Sequence, residues 1–151
     1  MRNHGKFMSG LTAVVGTALG MTLLTATPAS ATQIANNCEG AEVVRCANVE
    51  MSSTGVFNAH GRVTDTAGGT NYDVQVADVR LEYNVDGVWK LLRWEVPGDF
   101  WEYDQDVERT TSYSCGSSAR KLVRAKVYVQ WLSSTVTGDW VTTPSTYICP
   151  R

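Results

Sequence analysis

Apolar side chains in this sequence return at every second position, in run after run, rather than at the three-and-four spacing of a helix. Val43, Ala47, Val49 and Met51 hold odd positions of one run, and Phe57, Ala59, Gly61 and Val63 hold those of the next. Side chains alternate between the two faces of a strand, so this phase predicts half-buried antiparallel sheet. Ser52-Ser53-Thr54-Gly55 separates the two runs, and a Gly- and Thr-rich stretch from Thr64 to Asn71 follows them. In the third run the phase slips, from Val74 and Val76 to Val79, Leu81, Tyr83 and Val85. A bulge near Ala77-Asp78 accounts for such a slip.

Asp86-Gly87 between apolar alternations predicts a two-residue type I′ hairpin. Strict pairing through that turn sets Val85 against Val88, Leu81 against Leu92 and Val79 against Trp94 on one buried face. The opposite face then sets Asn84 by Trp89, Glu82 by Leu91 and Arg80 by Arg93. Pro97-Gly98 ends the hairpin. The next run carries Trp101, Tyr103 and Val107 at odd positions and the acids Glu102, Asp104, Asp106 and Glu108 at even ones, which reads as a solvated face. Val123, Ala125, Val127, Val129 and Trp131 form the cleanest core stripe. Thr137-Gly138-Asp139 is expected to turn the chain into a last strand, Trp140 to Cys149, whose Pro144 places it at a sheet edge.

The first 31 residues read as an address rather than as structure. A basic start (Arg2, His4, Lys6) precedes an uncharged, largely apolar stretch from Phe7 to Leu24, and Ala29-Ser30-Ala31 supplies the small residues at which a secretory leader is cut. A transmembrane helix fits less well, because Gly10, Gly16, Gly20 and interspersed threonines weaken the run and no basic stop-transfer cluster follows. Cleavage removes two of the 13 basic residues and none of the 15 acidic ones, so the mature chain is acidic. That balance argues against a nucleic-acid partner. The expected localisation is secreted and extracellular, with no membrane attachment once the leader is gone.

All four cysteines, Cys38, Cys46, Cys115 and Cys149, lie beyond the leader. An even count in an exported chain predicts two disulfides. Of three possible connectivities, Cys38–Cys46 and Cys115–Cys149 are preferred. The first pair is close in sequence and would tie an N-terminal extension, residues 32–41, to the first strand. The second would join the ends of the last two strands. The fold expected for residues 42–151 is all-β: a single antiparallel β-sandwich of about seven strands, immunoglobulin- or fibronectin-like in architecture. Tyr113-Ser114-Cys115 imitates the immunoglobulin tyrosine corner, but the first tryptophan after Cys46 is Trp89, too far along to be that family's core tryptophan.

Signs of catalysis are sparse. His60 is the one histidine beyond the leader, expected as a solvated residue on the polar side of its strand, and no Gly-x-Ser-x-Gly, His-Glu-x-x-His or phosphate loop occurs. Oxidised cysteines are poor nucleophiles. The acids at 102, 104, 106 and 108 are spread by the strand's period, at roughly 6–7 Å per step, which is poor geometry for one calcium ion. They would pair with Arg120, Arg124 and Lys126 if the two strands were neighbours, and would form a separate acidic surface if not. The expectation is a non-enzymatic protein without metal or cofactor.

Aromatic residues carry the stronger hint. Five Trp, six Tyr and two Phe remain after the leader, more than one small core needs. Trp94 and Trp131 fit buried stripes. Trp89 and Leu91, flanked by Arg80 and Arg93, fall on the hairpin's other face, and Trp101 and Tyr103 are equally hard to place inside. Aromatic side chains beside arginine are the usual composition of binding hot spots. In size and class the chain resembles small exported two-disulfide proteins of actinobacteria, among them enzyme inhibitors, chromoprotein carriers and adaptor subunits of secreted toxin particles. The resemblance covers size and fold class only and suggests a bacterial source. The aromatic face is what favours a protein–protein adaptor or structural subunit of an exported complex, with another secreted protein as partner. An inhibitor inserting the segment Pro97–Asp104 and a carbohydrate-binding module are the alternatives.

Overall fold

The computed structural model describes residues 31–149, so the leader expected over 1–31 lies outside the described residues but for Ala31. Eleven strands follow one another: β1 (Thr32–Glu39), β2 (Val43–Ser53), β3 (Val56–Asp65), β4 (Asp73–Val85), β5 (Val88–Glu95), β6 (Glu102–Tyr103), β7 (Gln105–Arg109), β8 (Tyr113–Ser114), β9 (Lys121–Leu132), β10 (Val136–Thr142) and β11 (Thr146–Ile148). No helix occurs among the described residues. The first sheet has the order β1-β2-β3-β7, with β8 also on β3. The second has the order β10-β9-β4-β5, with β6 on β4 and β11 on β9.

The alternation seen in the sequence builds the core between these sheets. Ala47, Val49, Ala59 and Val63 from the first meet Val74, Val76, Val79, Leu81, Val123, Ala125, Val127 and Val129 from the second, all fully buried. Each valine removed from water in this way contributes about 1.5–2 kcal/mol. The phase slip in β4 is a bulge between Val76 and Asp78, as its sequence implies. Asp86 and Gly87 both take positive φ, 52° and 85°, as a type I′ turn requires, and Val85 pairs with Val88. Both expected disulfides are present. Cys38–Cys46 joins facing residues of β1 and β2, whereas Cys115–Cys149 ties the end of β8 in the first sheet to the end of β11 in the second.

Several expectations fail, each for a local reason. The stretch expected as an extension over 32–41 is mostly strand β1, the edge of the first sheet, because its backbone pairs along β2. Eleven strands replace about seven, because β1 and the two-residue β8 are added and two of the runs are each split in two. The turn before the last run falls at 133–135, and Thr137-Gly138-Asp139 pairs within β10. Pro144 then splits that run, and both pieces pair with β9.

The run from 101 to 108 is split at Asp104, whose φ of +72° sends the chain from the second sheet to the first. The even residues of β7 therefore do not form a solvated ladder. Asp106 is buried and Glu108 is partly covered, while Val107 faces out. Nor is this strand beside β9, so Arg124 pairs with Glu82 instead, Nε to Oε2 at 2.7 Å.

Asp106 has a structural task. Between the stretches of β4 that pair with β5 and with β6, Val76 has no strand neighbour on that side, and its N–H donates to Asp106 Oδ2 at 2.6 Å. Burial raises the Asp106 carboxyl above the usual range. Asp99 and Glu108 crowd in, with one oxygen of each of the three acids within 4.8 Å of the others. Burial first, then the hydrogen bond to Asp99, push Glu108 up from 4.5 to about 7. Folding thus makes this group hold its proton more tightly than the unfolded chain does, so stability falls as pH rises from 4.5 to about 7 and levels off above. Solvent reaching Glu108 screens the effect to about 1 kcal/mol. Urea midpoints at pH 5 and pH 8 are expected to differ in that direction, and Glu108→Gln to bring them together.

Candidate binding face

The outer face of the second sheet gathers most of the residues singled out above. On β4, Asp78, Arg80 and Glu82 alternate with core residues and point outward. Their neighbours across β9 are Tyr128, Lys126 and Arg124. Trp140 on β10 lies opposite Tyr128, their ring centroids 5.1 Å apart. On the other side Trp89 faces Asn84 and Leu91 faces Glu82, as strict pairing predicts.

Beyond Leu91 the register changes. β5 carries one extra residue, so that Arg93 pairs with Leu81 and Trp94 with Arg80. A shift of one residue exchanges the two faces of a strand. Leu92 packs against the core, and Arg93 turns inward after it. The Arg93 guanidinium lies 5.3 Å from the ring of Tyr113 in the first sheet, and its Nε–H donates to the Ser112 carbonyl at 3.3 Å. Arg93 therefore does not belong to the face on which the sequence places it. Trp94, expected in the core, stands on that face and is 52% exposed. Leu91 beside it is 51% exposed. Val88, expected inside, is exposed at the hairpin end.

Cations and rings interleave across this surface. Trp140 receives the guanidinium of Arg80 at 4.8 Å and the ammonium of Lys126 at 4.5 Å. Arg124 reaches past β4 to lie 4.3 Å from the centre of the Trp89 ring. Asp78 takes both Nε and Nη2 of Arg80, at 2.8 and 2.7 Å. These contacts hold long side chains in place in advance, which lowers the entropy cost of docking a partner. Three cations against two acids leave the face net positive in an acidic chain.

Trp101 and Tyr103 do not join it. Tyr103 pairs with Asp73 at the start of β4, seven residues from Arg80, or roughly 23 Å along the strand. Its hydroxyl accepts from Asn71 Nδ2 at 2.5 Å. Trp101 lies in the segment just before β6, partly covered.

The outer face of the first sheet differs in character. His60 is not simply solvated: Glu50 Oε1 sits 2.7 Å from its Nδ1, and both side chains are largely buried. Only Asp99, Asp106 and Glu108 group, among the described residues, as acidic or sulfur and imidazole donors that could hold a cation. Compared with known protein families, curated proteins and solved structures, the chain matches none.

Proposed function

We propose that the protein is a secreted, non-enzymatic binding module of β-sandwich form, whose outer β5–β4–β9–β10 face docks onto another secreted protein. The observation carrying this reading is the pair Leu91 and Trp94, half exposed side by side on an edge strand and backed by ordered arginines. Large apolar side chains concentrated on one face are what interaction sites expose. The net positive charge favours a partner whose contact surface combines apolar and acidic groups. Two disulfides and the leader-like start are compatible with work outside the cell.

The test uses the protein as it leaves the producing cell. Size-exclusion with light scattering is expected to show a larger species holding one second secreted protein in fixed ratio, and Leu91→Asp is expected to return the module to a monomer. A strictly monomeric wild type in fresh medium overturns the reading. One observation favours the inhibitor alternative: Phe100, in the segment Pro97–Asp104, is 85% exposed. A Phe100→Ala variant that loses inhibition of an extracellular hydrolase, while Leu91→Asp keeps it, would select that alternative.

A further inference from the structure

At one end of the core, away from the docking face, the turn between β1 and β2 opens a cleft of about 260 Å³ against Tyr72 and Trp131. That is room for about nine waters, or one small aromatic acid. Arg45 lines it. Its side chain is only 16% exposed, its guanidinium lies 5.1 Å from the centre of the Trp131 ring, and its Nε is buried without a hydrogen-bond partner. The contact to Asp139, Nη1 to Oδ2, is long at 3.6 Å, and that acid is itself exposed. A buried donor left unpaired is costly, and a fork of guanidinium N–H groups matches the two oxygens of a carboxylate.

The chain backbone keeps the approach open. Gly40 has a φ of +92°, and a Cβ there would meet the Val43 carbonyl oxygen and lie 3.6 Å from Arg45 Nη2. A side chain at this position would stand beside the guanidinium. On the rim, the Tyr72 hydroxyl donates to Glu42 Oε2 at 3.2 Å. A carboxylate at the mouth disfavours phosphates and dicarboxylates, whose second charge it would repel.

We propose that this cleft is a receptor for a small organic monocarboxylate, its two oxygens held by the Arg45 fork and its apolar body set against Trp131 and Tyr72. The arrangement is independent of the docking face. Titration of the ¹⁵N-labelled mature protein with 3-phenylpropionate, and separately with 3-phenylpropionamide, tests it. The expected result is a saturable shift of the Arg45 Nε–H and Trp131 indole N–H resonances by the acid, with the amide at least tenfold weaker. Arg45→Lys, which keeps the charge and loses the fork, is expected to weaken the acid at least tenfold while its other backbone resonances stay in place. Equal shifts from acid and amide, or undiminished binding by Arg45→Lys, overturn the proposal. The acid–amide comparison needs no variant, so it stands even if the substitution unfolds the protein.

Discussion

Replacing Cys115 and Cys149 together by alanine is expected to lower stability by about 4 kcal/mol, the larger of the two disulfide effects. The bridge closes a separation of 34 residues and is the disulfide that joins the two sheets. Loop-closure entropy for a loop of that length gives the figure. Cys38–Cys46 closes a separation of only 8 between strands already paired, so its removal is expected to cost about 2.5 kcal/mol. Thermal unfolding of the domain formed by residues 31–149 measures the difference. The first variant is expected to melt roughly 12–24 °C below wild type, since about 1 kcal/mol corresponds to about 3–6 °C in a domain of this size.

Leucine at Gly61 is the second large effect. Gly61 lies on β3 and faces the core, against β4 and β9 of the other sheet. A Cβ there would stand 2.7 Å from Val127 Cγ1 and 3.0 Å from Val76 Cγ1, both on the opposing sheet. Those valines are fully buried and have nowhere to retreat. Overpacking at such a site is expected to cost about 3 kcal/mol, read as a lower urea midpoint. Gly68→Ala, where an added Cβ meets nothing within 4 Å, is the control and is expected to leave the midpoint unchanged.

What the sequence shows of the fold is the part set by unbroken alternation. Val123 to Val129 can be buried on only one face, so β9 is legible, and the slip at Ala77-Asp78 is legible because valines lie in clear phase on both sides of it. Asp86-Gly87 fixes its turn because few residues accept two positive φ values in succession. The candidate binding face is legible as far as Leu91. There the two adjacent leucines, Leu91 and Leu92, fit either phase, so nothing in the sequence reveals the extra residue that turns Arg93 inward and Trp94 outward.

The acids at 102 to 108 mislead for a related reason. Their period of two is intact, but Asp104 with its positive φ moves the chain between sheets, and a pattern continuous in sequence belongs to two strands in space. The alternation of Asp106 and Glu108 remains; its buried side is the reverse of the expected one. His60 is misread because its partner Glu50 lies on another strand, at a register visible only once β2 and β3 are paired.

The docking claim is tested most directly by a photo-crosslinking amino acid placed at Leu91 and, in a second protein, at Arg62 on the outer face of the first sheet, each made in the native producing cell. The account predicts one discrete cross-linked product from position 91 and none from position 62. No product at 91, or the same product from both positions, would contradict it.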